Sequence, residues 1–212
     1  MRIPWRSLLP LLGLAAFPGL AEAHPHAWID LESKVLLDDE GRMRALEEVW
    51  LFDDYYTVMV ADELAQNDQP TAEYLETIAK RNLANLRDYD YFTVVHFDGK
   101  KLPIGDVTRH DTRLVDGRLR MHFEVPLLEP VDPRAGELIL SIYDPTYWIE
   151  MLYIEGGGVT FSGQGAEACS ATVRQPNPTL DQVSLAASLD QTQTDSDGLG
   201  ALFAETVLVR CR

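Results

Sequence analysis

The stretch HAWIDLESKVLLDDEGRMRALEEVWLF, residues 26–52, determines how the rest of the chain is interpreted. Its first half alternates apolar residues with polar or aromatic ones, as a half-buried β-strand does. The apolar set is Ile29, Leu31 and Val35, against Trp28, Asp30, Glu32 and Lys34. Asp39-Glu40-Gly41 interrupts the pattern and predicts a turn. The stretch therefore predicts two strands joined by that turn.

A helical segment is predicted directly after these two strands. Residues 54–65 and 71–88 carry apolar side chains at helical spacing, and Thr71 is a plausible N-cap for the second helix. We therefore expect a helical insertion at about residues 54–88.

The remaining chain returns to strands separated by turns. Asp98-Gly99 and Asp116-Gly117 predict hairpin turns. Residues 136–144, 166–174 and 206–211 predict further strands, and two short helices precede the last of them. The predicted fold class is α+β: an antiparallel β-sandwich-like core, with the helical insertion after the second strand and short C-terminal helices.

The first 23 residues read as a secretory signal peptide. Arg2 and Arg6 precede an apolar run at residues 8–20, which is shorter than the roughly 20 residues of a membrane span. Ala21-Glu22-Ala23 then has the small-x-small pattern of a cleavage site. We expect cleavage after Ala23 and a single exported domain at residues 24–212. The alternative is an uncleaved anchor.

The charge of the chain limits its partners. It carries 34 acidic and 18 basic residues, for a formal net charge of −16. Such a surface repels nucleic acid and anionic lipid and accumulates cations. We expect no nucleic-acid partner and, after signal cleavage, no stable membrane insertion. A well-solvated soluble surface explains the same charge equally well.

The two cysteines, Cys169 and Cys211, predict a disulfide, because an even pair in an exported protein is usually oxidised. Closing a loop of roughly 40 residues stabilises a fold by about 3 to 4 kcal/mol in the chain-entropy model. The alternative, a thiolate metal site, lacks the CxxC spacing typical of such sites.

The candidate metal ligands are the two histidines of His24-Pro25-His26. Cleavage after Ala23 would add a free α-amine, so the segment offers nitrogen donors suited to Cu, Ni or Zn. Pro25 has no N–H to lose, which excludes the square-planar site built from deprotonated backbone amides. Chelation by the His24 amine and imidazole remains, resembling a copper histidine brace. The alternative is a tail with incidental histidines.

His122 and Asp144 are weaker candidates for completing this site. His122 lies on a predicted strand between Met121 and Phe123. His96 and His110 lie on two other predicted strands. Each of the three histidines could instead be a hydrogen-bonded or solvent-facing strand residue with no role as a ligand. Asp144 precedes Pro145 and could instead start a turn, while Asp54 could cap the first helix. No catalytic motif is recognisable, so we expect a protein that is not an enzyme.

Five short segments in a fixed order resemble a known family. They read HPHAWID, VWLFDDYYT, NLRDYDYFTVVHFDGK, FEVPLLEP and LSIYDPTYWIE. This order resembles the DUF1007 family, described as an uncharacterised periplasmic component of ABC-type transport. The match covers nearly all of residues 24–212, including the cysteine pair. Family members are often encoded near nickel/cobalt exporters or zinc-responsive uptake genes, so the resemblance implies periplasmic transition-metal handling.

The resemblance carries over residue by residue, with one departure. The family's start matches at His24, Pro25 and His26, and its Asp-Pro-x-Tyr stretch matches at residues 144–147. Many relatives carry a DxDxDG run between the first helical segment and the NL…YFT element. That run is missing here, and a calcium loop needs its closely spaced oxygen ligands and its glycine. Calcium binding is therefore not expected.

Three functional hypotheses follow from the sequence. The first is a non-enzymatic accessory protein that binds a divalent transition metal (Zn, Ni, Co or Cu) and serves an inner-membrane metal transporter. The second is a copper histidine-brace redox enzyme. The third is a structural module that docks on a transporter through Trp28, Trp50 or Trp148, although such residues are more often buried in a sandwich core.

Overall fold

A computed structural model describes residues 25, 27–67, 69, 71–156, 158–188 and 198–212. The expected signal peptide with its cleavage residue Ala23, and the candidate ligands His24 and His26, lie outside the described residues. His122, Asp144 and both cysteines lie within them.

Strands outnumber helices in the described chain. They are β1 (Ala27–Leu37), β2 (Met43–Phe52), β3 (Thr93–Phe97), β4 (Lys100–Lys101), β5 (His110–Val115), β6 (Arg118–Val131), β7 (Leu138–Ile142), β8 (Ile149–Tyr153), β9 (Val159–Ser162), β10 (Cys169–Arg174) and β11 (Thr206–Cys211). The helices are α1 (Asp54–Ala65), α2 (Thr71–Leu86), α3 (Leu180–Ser188) and α4 (Leu199–Phe203). The predicted fold class, α+β with a helical insertion after the second strand, is confirmed.

The β1–β2 hairpin has the predicted alternation. Ile29, Leu31 and Val35 are buried, whereas Trp28 and Glu32 on the other face are exposed. Gly41 closes the turn at a φ of 77°, a left-handed conformation that glycine adopts without steric cost. The hairpin thereby presents one apolar face to the core.

The strands form two sheets. Sheet A has the order β5-β6-β2-β1-β8, with β9 also pairing with β1, and sheet B has the order β10-β11-β7-β3-β4. Most pairs are antiparallel, as predicted. The exception is β1, which pairs in parallel with β8 along its first half and with β9 along its second half. The sandwich is therefore not purely antiparallel.

The cysteine pair closes sheet B. Cys169 and Cys211 are opposite each other in the β10–β11 register and form a disulfide. The predicted disulfide is therefore present, and it joins the last strand to its neighbour β10.

The core lies between the two sheets and extends under the helical insertion. Sheet A contributes Trp50 and Phe123, and sheet B contributes Leu138 and Leu140, all nearly fully buried. One face of α2 joins the same core through Tyr74, Leu75, Ile78 and Leu83. In the part of the chain that the structure describes, no helix is both long and apolar enough to span a bilayer.

Candidate functional site

The end of sheet A where β1 begins is tied to α1 by a single carboxylate. Asp53 Oδ2 accepts a hydrogen bond from the Trp28 backbone N–H at 2.7 Å, and the Asp53 N–H donates to the Trp28 carbonyl at 3.0 Å. Asp53 Oδ1 accepts from the Tyr56 N–H at 2.8 Å and so caps α1. The helix cap is therefore Asp53 and not Asp54, which is the first helical residue and exposed.

The other side of the β1 start is formed by β8 and the turn before it. Ala27 pairs with Ile149, whose N–H donates to Asp144 Oδ2 at 3.0 Å. Asp144 Oδ1 accepts from the Thr146 N–H and hydroxyl at 2.9 and 2.8 Å. Asp144 is buried with both oxygens engaged, so it has the turn-forming role that its place before Pro145 allowed.

The turn at Asp144 packs against the backbone of α4 so closely that Gly200 has no room for a side chain. A Cβ built on Gly200 would lie 1.9 Å from the Asp144 carbonyl oxygen. The Gly200 N–H donates to the Pro145 carbonyl at 3.2 Å, and Tyr147 stacks on Phe203 with ring centroids 4.2 Å apart. The short C-terminal helix therefore supports the turn that leads into β8.

His122 lies on the outer face of sheet A, in a charged cleft of about 270 Å³. Its Nε2 is 2.6 Å from Glu47 Oε1, and Lys34 Nζ donates to Glu47 Oε2 at 2.7 Å. Arg113 and Arg120 line the same cleft. The cleft therefore holds these three cationic side chains beside the carboxylates of Glu32 and Glu47, and a cation that binds His122 would have to replace its contact with Glu47.

The structure does not bring His122 and Asp144 together. His122 is on β6, and Asp144 precedes β8, which is three strands away in sheet A. At about 4.8 Å per strand this separation is roughly 14 Å. His96 lies on β3 in sheet B, and His110 Nδ1 lies 3.7 Å from Glu76. Among the residues with described positions, no group of three His, Cys, Asp or Glu side chains could hold a metal ion.

Glu48 is a buried titratable residue that the sequence reasoning missed. It is fully buried in the core, where Oε2 accepts from Trp50 Nε1 at 2.9 Å and Oε1 accepts from Thr93 Oγ1 at 2.6 Å. Burial raises its pKa to about 7, although both hydrogen bonds act in the opposite direction. Glu48 lies two residues from both Leu46 and Trp50, on the same buried face of β2, and this spacing is the sequence signal that could have revealed it.

The backbone beside Glu48 is held in an uncommon conformation. Asp90, Tyr91 and Phe92 are consecutive non-glycine residues with φ between 51° and 60°. Thr93 Oγ1, which contacts Glu48, also lies 3.1 Å from the Tyr91 carbonyl. Left-handed non-glycine residues cost free energy and persist where their surroundings enforce them. Here the surroundings include Trp50, whose ring stacks on Phe92 with centroids 6.0 Å apart.

The tryptophans proposed for docking differ in exposure. Trp50 is 2% exposed and belongs to the core, so the suggestion that it docks on a partner is wrong. Trp148 is half-buried, and Trp28 is 47% exposed. Only Trp28 of the three presents a large surface for a contact.

Comparison with known proteins places the chain among relatives without assigned activities. The profile of a family described as "Protein of unknown function (DUF1007)" matches residues 9–211. An "Uncharacterized protein" of Haemophilus influenzae is 26% identical over 204 residues, which cover 95% of this chain and 97% of that protein. An "Uncharacterized 15.5 kDa protein in trpE 3'region" of Spirochaeta aurantia is 31% identical over 102 residues, or 46% of this chain and 72% of that one. No solved structure matches the chain.

Proposed function

The chain belongs to the DUF1007 family, and from this premise we propose that it is a non-enzymatic periplasmic protein that binds a divalent transition metal. The metal is cargo that passes to or from an inner-membrane transporter. His24 supplies its amine and imidazole, and His26 supplies a second imidazole. Zn, Ni, Co and Cu all suit such nitrogen donors.

One observation carries this proposal: the His-Pro-His segment directly precedes a strand that is fixed on both sides. Ala27 pairs with Ile149, and Trp28 is bonded through both backbone groups to Asp53. The two histidines are therefore within three residues of an anchored backbone.

The carboxylates at this end of the molecule limit which residues can complete the site. Asp53 and Asp144 use both carboxylate oxygens to hold the backbone, and His122 is engaged with Glu47. Asp54 is exposed and directly follows Asp53. Asp54 is therefore a better third ligand than Asp144 or His122. The net charge of −16 favours cation accumulation in general.

The test combines intact mass with metal titration on protein exported through its own leader. A mass that begins at His24 supports signal cleavage. We expect His24→Ala and His26→Ala each to weaken Cu, Ni or Zn binding by about tenfold or more. His96→Ala is the matched control, because His96 lies on β3 of sheet B. Affinity that is equal in all four proteins would refute the proposed site.

An extra glycine before His24 separates the two kinds of ligand. Binding lost on this addition assigns the amine as a ligand, whereas binding retained assigns the site to side chains alone. Oxygen- or peroxide-dependent turnover by the copper-loaded protein would support the histidine-brace enzyme instead.

A docking module is the second candidate, because exposed apolar side chains surround the β1 start. Trp28 is exposed on β1, and Tyr55, Val58 and Met59 are exposed on α1, whose cap Asp53 is bonded to Trp28. Exposed aromatic and Met side chains are typical of protein contacts. Capture of an inner-membrane transporter that persists in chelator and is lost in Trp28→Ala would favour this candidate.

A further inference from the structure

A cavity of about 180 Å³ lies where sheet A, the helical insertion and the segment before β3 meet. Sheet A contributes Trp50 and Phe52 to its lining, α1 contributes Tyr56, and α2 contributes Asn82. Phe92 closes the side next to β3. The cavity therefore lies between layers that come from distant parts of the chain.

The lining of the cavity is aromatic and uncharged. Phe52 and Tyr56 stack with ring centroids 4.5 Å apart, and Trp50 meets Phe52 edge-on at 6.4 Å. None of the lining residues carries a formal charge, although the chain is rich in carboxylates. A charged ligand would lose its hydration there without gaining a counter-charge. The lining therefore selects a neutral molecule with a flat apolar face.

Polar groups are confined to one side of the cavity. Asn82 Nδ2 donates to the Tyr56 hydroxyl at 3.2 Å, and the side chain of Asn85 on the same helix is exposed. These amides and the phenol can donate to, or accept from, one polar substituent of a ligand. A few polar groups in an apolar pocket are the usual arrangement of small-molecule sites.

Two of the lining residues, Trp50 and Phe92, are fixed by contacts or backbone conformation outside the cavity. The Trp50 indole N–H donates to the buried Glu48 carboxylate, and Phe92 is the last of three left-handed residues. Strained backbone of this kind is concentrated at sites that need a fixed shape. A preformed wall lowers the cost of binding because little side-chain freedom remains to be lost.

We infer that this cavity binds a neutral aromatic molecule of one or two rings that carries a single polar substituent. The size supports this class, since an engineered apolar cavity of about 150 Å³ binds benzene. Pockets that bury drug-sized ligands usually measure about 300 to 1,000 Å³, so this cavity is too small for a ligand of that size. The inference does not depend on the metal-binding proposal.

The test uses indole and p-cresol as probes, with benzoate as the charged counterpart. The methyl groups of Met121 and Ile149, which line the cavity, report binding through methyl NMR. We expect saturable shifts at these two methyls with a Kd between about 10 µM and 1 mM for the neutral probes. Benzoate should bind at least about tenfold more weakly.

A cavity-filling variant provides the second arm of the test. Leu86→Phe adds volume at the half-buried lining residue Leu86 and should weaken indole binding by about tenfold. Leu64→Phe is the matched control, because Leu64 is a half-buried helix residue outside the lining, and it should leave the affinity unchanged. The wild-type methyl shifts decide the question if Leu86→Phe fails to fold. Absence of saturable shifts below about 5 mM, or equal affinity for benzoate, would overturn the inference.

Discussion

Glu47 and Glu48 are neighbours on β2 whose carboxylates occupy opposite faces of sheet A. Glu47 contacts Lys34 and His122 on the outer face. Glu48 is enclosed in the core, where its hydrogen-bond donors, the Trp50 indole and the Thr93 hydroxyl, are both neutral. Partial burial acts to raise the pKa of Glu47, but Lys34 and His122 outweigh it and hold the pKa below its usual value. Burial instead raises the pKa of Glu48 to about 7.

Glu48→Gln should remove a pH-dependent loss of stability. The unfolded chain releases the Glu48 proton near pH 4.5, whereas the folded protein retains it up to about pH 7. The contribution of Glu48 to stability is thus complete below pH 4.5 and is lost as the pH rises through 7, by about 3 kcal/mol. Urea unfolding at pH 4.5 and pH 8 should show the variant gaining that amount relative to wild type. An equal change in stability between pH 4.5 and pH 8 in the two proteins would contradict the raised pKa of Glu48.

Glu47→Gln is the adjacent control and should act with the opposite sign. Because the folded-state pKa of Glu47 is lowered, its contribution is present above the unfolded pKa and is lost as the pH falls through the folded value. The variant should therefore be least stable, relative to wild type, at neutral pH. The same urea series measures this difference, and a loss confined to acid pH would exclude the Lys34 and His122 contacts as its cause.

Asp53→Ala should destabilise the protein by about 2 kcal/mol. The substitution removes the α1 cap and leaves the Trp28 N–H without its acceptor. Asp54→Ala removes a neighbouring carboxylate that is exposed, and its effect on stability should stay within about 0.5 kcal/mol. Equal unfolding midpoints in urea for the two variants would disprove the tie between β1 and α1.

Gly200→Ala should destabilise the protein although alanine favours helices. By propensity alone the change would stabilise α4 by about 1 kcal/mol. The new Cβ would instead meet the Asp144 carbonyl at 1.9 Å, so we expect a net loss of about 2 kcal/mol or more. Gly117→Ala is the comparison: its surroundings are open, and only the φ of 83° opposes it, at about 1 kcal/mol. Thermal unfolding ranks the two, and a milder effect at Gly200 would be incompatible with this packing.

Removal of the Cys169–Cys211 disulfide should cost about 4 kcal/mol. The bond spans 42 residues, and the chain-entropy model assigns roughly this value to such a loop. Denaturant unfolding of the Cys169→Ser/Cys211→Ser double variant, compared with oxidised wild type, measures the difference. Identical unfolding curves would mean that the bond does not constrain the unfolded chain.

Local pattern predicted the elements of this fold, and it failed where distant segments meet. Alternation identified β1 and β2, helical spacing identified α1 and α2, and the cysteine pair identified the β10–β11 contact. The parallel pairing of β1 with β8 and β9 was not predictable, because alternation determines which face of a strand is buried but not its neighbours.

The candidate site was less predictable than the fold. The His-Pro-His segment was evident from residue type alone. The use of Asp53, rather than Asp54, as the cap depends on the Trp28 backbone that it also binds. The surroundings of His122, with Glu47 on β2, Lys34 on β1 and Arg113 on β5, could not be derived from its own neighbours in sequence.

The position of β11 affects how quickly the chain can reach its native state. Although β11 comes last in chain order among the described strands, it lies inside sheet B, between β10 and β7, and Val207 pairs with Leu140. Sheet A likewise needs Ala27 to meet Ile149. Proteins dominated by such distant pairings fold in about milliseconds to seconds, orders of magnitude more slowly than helical bundles. Sheet A therefore cannot be completed before β8 and β9 are available, and sheet B cannot be completed before β11 is available.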